Sequence, residues 1–296
     1  MGITCTYPQT ANSTASIVQP CGSEELEILT PRPAVQKDVI FIWNLDIFKT
    51  LMTESYQGDK EKEVLLEEID DLVLDLAEAH FNYKDLQHYE IKNVYDNPLI
   101  DTGQTERQSN FSDDPEKSSH QTNETMSASE KQRFYKLASL CRKVKKSYCE
   151  KCRQNIDDLI NEEKHQQWSY VKQNMEALRD KWLSEAITSL QIINSRSSCV
   201  NILYTTSHLI PALAHVLLFQ MGNIFKIENI YSTANIGKEE CFKMISEQFG
   251  NDCNVFVFGV GKEDEKIAEK LKMAFWKVAD QSDVDSLHHA LKMNYL

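Results

Sequence analysis

Two polar residues, Asn44 and Asp46, follow a run of five apolar residues at positions 39–43. Such a run of β-branched and aromatic residues predicts a strand that is buried on both faces. Side chains two positions apart on a strand project from the same face, and open α/β sheets bind ligands at the carboxyl ends of their strands. Two aspartates at this place could serve as nucleophile and acid/base in phosphoryl transfer. Here the first of the two is an amide, which is a poor nucleophile.

Three further groups with suitable chemistry occur later in the chain: Thr205, Lys238, and the run Gly259-Val260-Gly261 with the acidic residues that follow it. Thr205 ends a predicted strand, and Lys238 begins a predicted helix. A cation at the start of a helix opposes the helix dipole, which favours a role for Lys238 facing a phosphate or a carboxylate.

Strands alternate with helices in the last third of the chain, and this alternation predicts a parallel α/β sheet. The predicted strands are at positions 200–204, 227–231, 254–258 and 274–278. The first strand must join them, because a strand that is apolar on both faces cannot stand alone. Amphipathic helical stripes fill most of the intervening chain. We therefore predict a Rossmann-like core, residues 38–60 and 191–296, with a helical bundle inserted at 61–190.

The chain has 296 residues and a net charge of −13, from 45 acidic and 32 basic residues. This charge argues against a direct nucleic-acid contact and against an anionic membrane surface as partner. No apolar stretch is long enough to predict a membrane-spanning helix. Residues 1–37 are rich in Ser, Thr and Pro, lack the features of a signal peptide, and are predicted to be disordered. The eight scattered cysteines are then expected to be reduced thiols inside the cell.

The order of these motifs resembles the haloacid dehalogenase superfamily and, within it, the Eyes absent family. The resemblance covers residues 38–296 and is carried by many short matches in order. They are Phe41-Ile42-Trp43-Asn44-Leu45-Asp46, Asn110-Phe111-Ser112, Ile193-Asn194-Ser195-Arg196, Thr205-Thr206, Leu209-Ile210-Pro211-Ala212-Leu213, Ile227-Glu228-Asn229-Ile230-Tyr231-Ser232, Gly237-Lys238-Glu239, Cys241-Phe242 and Tyr295-Leu296. The resemblance implies an α/β fold of the haloacid dehalogenase type and a protein tyrosine phosphatase ancestry.

The resemblance also implies roles for individual residues. Asp46 corresponds to the acid/base, Thr205 to the phosphate-binding hydroxyl, and Lys238 to the lysine that neutralises the phosphoryl oxygens. Asn44 occupies the position of the nucleophilic aspartate. The Mg²⁺ positions of the family are Asn44, Asp46 and Val260, and both Asn44 and Val260 are substituted.

The substitutions at Asn44 and Val260 both affect phosphoryl transfer that depends on Mg²⁺. Loss of a covalent nucleophile lowers the rate by about 10⁴- to 10⁶-fold, and Mg²⁺ demands near-ideal geometry and favours carboxylates. We therefore predict a pseudophosphatase in which Mg²⁺ binding is weak or absent. The alternative is an active, Mg²⁺-dependent phosphatase of phosphotyrosine proteins that uses a relocated carboxylate. Glu263 is a possible metal ligand in that case, and Asp264 and Glu265 lie beside it.

By resemblance, the protein is expected to be a transcriptional coactivator or scaffold that binds sine oculis-type homeodomain proteins in the nucleus and cytoplasm. Such a protein does not contact DNA itself, which agrees with its acidic charge. A decayed copy with neither role is a third possibility, although the regular helical periodicity argues against it.

Simpler interpretations remain for single motifs. Asn44 and Asp46 could form only a strand-end turn, and Thr205 could cap the next helix. The pair Cys149 and Cys152 has zinc-ligand spacing, but no second pair follows, which favours surface thiols.

Overall fold

The computed structural model of the protein describes residues 37–49, 59–95, 127–178, 184–250 and 252–296. Of the tail that the sequence predicts to be disordered, only Lys37 falls within these ranges. The Asn110-Phe111-Ser112 motif lies outside them.

Five parallel strands form one sheet in the order β3-β2-β1-β4-β5, as the alternating pattern predicts. The strands are β1 (Val39–Asn44), β2 (Cys199–Thr205), β3 (Ile230–Ser232), β4 (Asn254–Gly259) and β5 (Ala274–Lys277). The strand predicted at 227–231 starts later than expected. Residues Ile227–Asn229 form a 3₁₀ turn instead, because the Asn229 N–H bonds back to the Lys226 carbonyl.

Nine α-helices have both ends within the described residues, and residues 46–49 form the start of a further helix after β1. Five lie between β1 and β2 in the chain: α1 (Asp59–Phe81), α2 (Tyr83–Leu86), α3 (Ala128–Lys151), α4 (His165–Leu178) and α5 (Ser184–Ser195). The others are α6 (Leu209–Leu218), α7 (Lys238–Phe249), α8 (Lys262–Lys270) and α9 (Gln281–Lys292). Within the described ranges, none of them has the length and apolar character needed to cross a bilayer. None of the six cysteines in these ranges, Cys149 and Cys152 among them, forms a disulfide bond.

The central strand β1 divides the apolar interior into two clusters, because successive side chains point to opposite faces of a sheet. Phe41 and Trp43 belong to the larger cluster, which includes α1, α6 and α9. Ile40 and Ile42 belong to the smaller cluster with α7 and α8. The alternation therefore turns the next even-numbered residue, Asn44, toward the α7 and α8 side.

The register of the sheet then decides which side chains meet at its carboxyl edge. Asn44 lies opposite Tyr204 of β2, and the end of β4 on the other side of β1 is Gly259. Helices α7 and α8 both begin near this edge, since α8 follows β4 after only two residues. Their first turns can therefore place charged side chains over the strand ends.

Candidate functional site

The carboxyl edge of the sheet brings together residues that are far apart in sequence. Asn44 ends β1, Thr205 ends β2, and Gly259 ends β4. Lys238, the first residue of α7, reaches the same place as Asp264, in the first turn of α8. The positions of Asn44, Thr205 and Gly259 at strand ends were predicted from the sequence. The pairing of Lys238 with Asp264 is seen only in the fold.

Both ends of the Asn44 amide are engaged by the protein. Its Oδ1 accepts a hydrogen bond from the Asp46 backbone N–H at 2.9 Å, and its Nδ2 donates to Asp264 Oδ2 at 3.3 Å. The side chain is buried. Since the amide oxygen is bound to its own turn and the amide nitrogen faces a carboxylate, Asn44 acts here as a structural bridge between β1 and α8.

Asp264 is the buried carboxylate of the site, with 1% of its surface exposed. Lys238 Nζ donates to Asp264 Oδ1 at 2.7 Å and to Glu263 Oε2 at 2.7 Å. The side chain of Glu263 is 70% exposed and lies at the rim. Burial works against the charged form of Lys238, but its bonds to Asp264 and Glu263 prevail and raise its pKa. The lysine is thus neutralised by the protein's own carboxylates.

Gly259 leaves the space that the Asp264 carboxylate occupies. A Cβ atom at position 259 would lie 2.5 Å from Asp264 Oδ2 and 2.8 Å from Asp264 Cβ. Gly261, two residues on, has no such close neighbour among the described residues, because the nearest atom to its Cβ would be Glu263 N at 4.0 Å. Of these two glycines, only Gly259 is required for the close approach of β4 and α8.

We expect Gly259→Ala to lower the free energy of unfolding by about 1–3 kcal/mol, the usual effect of inserting a methyl group into a packed site. The methyl group displaces Asp264 from Lys238 and Asn44. Urea denaturation measures the change, with Gly261→Ala as the matched control, which should remain close to wild type. Equal effects of the two substitutions would contradict the proposed contact.

Asp46 is the first residue of the helical stretch 46–49 that follows β1, and it is partly buried. Burial raises its pKa, and the negative charge of Asp264 adds to this, while Lys49 and Lys238 oppose it. A hydrogen bond with Thr206 also opposes the rise. Asp46 thus holds a proton more readily than an exposed aspartate, which is a property that an acid/base requires.

The raised pKa of Asp46 predicts a pH dependence. A carboxyl group whose pKa is raised on folding stabilises the fold below its unfolded pKa, and this contribution is lost as the pH rises through the folded pKa. The variant Asp46→Asn should therefore gain stability relative to wild type from pH 4 to pH 7 in denaturant titrations. As a contrast, Asp280→Asn should change little relative to wild type over that range and should lose stability relative to wild type only as the pH rises toward about 4 from below, because the hydrogen bonds of Ser282 and of the Asp283 backbone lower the pKa of Asp280.

Thr205 is buried, and its Oγ1 accepts a hydrogen bond from the Ser207 N–H at 3.0 Å. Its carbonyl accepts from the N–H and the hydroxyl of Thr233. The hydroxyl expected to bind phosphate therefore shapes the loop before α6. The neighbouring Thr206 is exposed and is the threonine next to Asp46.

Tyr204 was not predicted from the sequence as a residue of this site. Its ring packs edge-on against Phe242 at 4.9 Å, and its buried hydroxyl finds no well-aligned hydrogen-bond partner among the described residues. Burial and the nearby Asp264 carboxylate raise the pKa of the phenol far above its usual value. The alternation of side chains along β2 could have predicted its place in the site, because it turns Tyr204 to the same face of the sheet as its register partner Asn44.

Asp264 also had a signal in the sequence. It lies four residues before Ala268, and both are buried along one stripe of α8. Glu263 and Glu265, its acidic neighbours, fall outside this stripe. Helical spacing rather than the presence of an acidic run would have identified the inward carboxylate.

The resemblance of the sequence motifs to the Eyes absent family implies Mg²⁺, which prefers an octahedron of oxygen ligands and carboxylates in particular. The side-chain oxygen of Asn44 accepts from a backbone N–H, the side chain of Val260 has no oxygen, and Asp264 is bound to an ammonium group. In the described part of the chain, no three His, Cys, Asp or Glu side chains are grouped so that they could hold a metal ion. The donor set does not fit Mg²⁺.

Comparison with known proteins reveals related sequences. The chain is 36% identical over 281 residues to protein phosphatase EYA2 of Homo sapiens, across 90% of this chain and 52% of that protein. It is 32% identical over 277 residues to protein phosphatase eya of Drosophila melanogaster, across 87% of this chain and 36% of that protein. With protein phosphatase EYA3 of Gallus gallus it shares 46% identity over 115 residues, 39% of this chain and 96% of that relative.

The chain spans about half the length of the first two mammalian relatives that it matches, human EYA2 and mouse EYA1. No family model matches the sequence.

Proposed function

The chain belongs to the Eyes absent family, and on that premise we propose that it is a transcriptional coactivator or scaffold whose phosphatase-type site no longer turns over substrate. The proposed partners are homeodomain proteins of the sine oculis type, and the proposed location is the nucleus and cytoplasm. We further propose that the chain does not contact DNA itself. Its net charge of −13 supports this, because a DNA-binding surface needs a basic face.

One observation carries the proposal of a silent site. The Asp264 carboxylate bonds to both Lys238 and Asn44, so the cation and the amide at the strand ends are satisfied within the protein. A phosphoryl group would have to compete with this buried carboxylate for Lys238. In addition, an amide replaces the nucleophile of the family, and the side chain of Val260 has no oxygen to offer a metal ion.

The second candidate function is an active phosphatase with a relocated carboxylate. The position of the Asp264 carboxylate favours this candidate. This side chain is buried next to Asn44 and could in principle take over an anionic role. Its bonds to Lys238 and Asn44 occupy both of its oxygens, however, and this weighs against the second candidate.

The deciding experiment measures hydrolysis of a phosphotyrosine peptide by the full chain in a Mg²⁺ titration, with human EYA2 as the positive control. In parallel, a sine oculis-type homeodomain protein is tested for binding to the folded chain. We expect a complex without turnover. Mg²⁺-dependent turnover at an ordinary enzymatic rate would establish the second candidate, and the absence of both binding and turnover would indicate a decayed copy.

A further inference from the structure

A cavity of about 780 Å³ lies at the amino edge of the sheet, opposite the strand ends that form the candidate site. Its floor is the start of β2, where Cys199 and Val200 are 8% and 9% exposed while the rest of the strand is almost fully buried. Lys37, which precedes β1, and Asn229, which precedes β3, also line the cavity. A cavity of this volume can enclose a small organic molecule.

The charged residues that line this cavity are mostly basic, although the chain is strongly acidic. Lys37, Arg196 and Lys226 line it, against one acidic residue, Glu228. Among the described residues, no carboxylate forms an ion pair with any of these three cations. Lys238 differs, because two carboxylates of the protein neutralise it. The basic residues of the cavity therefore keep their charge available for an anion.

Two of the three cations are held in place and still have unused donors. The Arg196 guanidinium donates to the carbonyls of Leu291 and Leu296, and its planar fork carries further N–H groups. The Lys37 ammonium donates to the Ser197 carbonyl at 2.5 Å and likewise has further N–H groups. A donor that is already positioned loses little side-chain freedom when it binds an anion.

The uncharged part of the lining indicates which kind of anion fits. Val200 and Phe249 contribute apolar surface from one face of the sheet, and Ile224 contributes it from the other. Beside them lie the side-chain amides of Asn223 and Asn229, neither of which forms a hydrogen bond within the described ranges. An alkyl chain would displace water from these amides without replacing its hydrogen bonds, which is costly. A heteroaromatic ring offers both an apolar face and polar atoms at its edge.

We infer that this cavity binds a small heteroaromatic anion, such as a nucleoside monophosphate, with its ring against Val200 and Phe249. The anionic group lies among Lys37, Arg196 and Lys226. This binding site is at the other edge of the sheet from the phosphatase-type site, so the inference does not depend on the proposed function.

Fluorescence of anilinonaphthalene sulfonate, an aromatic anion, tests the inference on the full chain. The dye should bind the wild type, and Lys226→Glu should weaken its binding by about tenfold, because reversing a charge at about 5 Å from an anion has roughly this effect in water. Lys143→Glu makes the same change at an exposed lysine of α3 outside the cavity, and binding should stay unchanged. Both lysines are exposed, so equal melting temperatures of the two variants confirm that the fold is intact.

Competition against the dye tests the chemical class. AMP should displace the dye, adenosine should do so far less because it lacks the phosphate, and laurate should not because it lacks the ring. The inference fails if the dye does not bind the wild type, or if it binds Lys226→Glu as tightly as Lys143→Glu. Failure of AMP to displace the dye would also contradict it, and displacement by laurate instead would identify a fatty-acid site.

Discussion

Replacing Lys238 by Met should lower the free energy of unfolding by about 3–5 kcal/mol at neutral pH, the effect expected when one partner of a buried ion pair is removed. Asp264 would keep its charge in a place where only 1% of its surface is exposed, with Asn44 as its remaining partner. Urea denaturation at pH 7 measures the loss.

Two variants sharpen this result. Lys243→Met removes an ion pair with Glu239 on the outer face of the same helix, where solvent screens the charges, and should leave stability close to wild type. Lys238→Met combined with Asp264→Asn should recover most of the loss, since the neutral amide can still accept from Asn44. If the single and double variants are equally unstable, the ion pair is not what stabilises this site.

Restoring two carboxylates by Asn44→Asp with Val260→Asp should create a Mg²⁺-dependent stability that the wild type lacks. The new carboxylate at position 44 would lie about as far from Asp264 as the amide nitrogen does now, 3.3 Å. Repulsion between like charges at such a distance is on the order of 4 kcal/mol near a protein surface. Without metal, the double variant should therefore be less stable than wild type above the carboxyl pKa.

Added Mg²⁺ should reverse much of this loss, because a ligand that binds only the folded state stabilises it, by about 2.7 kcal/mol at a hundredfold excess over Kd. Melting temperatures measured with Mg²⁺ and with a chelator separate the two contributions. Asn254→Asp, which adds one carboxylate at the opposite end of the sheet, is the control and should not respond to Mg²⁺.

Hydrolysis of a phosphotyrosine peptide is the second measurement on the double variant. We expect it to exceed that of the wild type, since the nucleophilic position again carries a carboxylate. A double variant that neither binds Mg²⁺ nor hydrolyses the peptide would mean that Asn44 and Val260 do not stand at the positions assigned to them.

Much of the fold could be read from apolar runs. The apolar run at residues 39–43 predicted the buried strand β1, because it is too apolar for an exposed strand. The alternation of strands with helices after residue 199 predicted a parallel sheet. The bounds were least accurate at β3, where a local 3₁₀ turn at Ile227–Asn229 shortens the strand. Such a turn depends on one backbone hydrogen bond and leaves little trace in side-chain periodicity.

The candidate site was predictable where it depends on strand ends and unpredictable where it depends on contacts between helices. Asn44, Thr205 and Gly259 follow apolar runs, so their place at the carboxyl edge is a consequence of strand direction. The four-residue spacing of Asp264 and Ala268 could have singled out Asp264 from Glu263 and Glu265, but its pairing with Lys238 depends on the phase of α8 against the sheet. A rotation of one residue would have turned a different carboxylate toward Lys238.

The sequence alone determined which atoms the site can offer: an amide at position 44, an isopropyl group at position 260 and a carboxylate at position 46. These follow from residue identity and hold in any conformation. Only the tertiary structure decided that Lys238 is paired with Asp264 and that Asn44 links the two sides of the site. Such contacts join residues that are 26 and 220 positions apart, and their geometry is set by how the helices pack on the sheet.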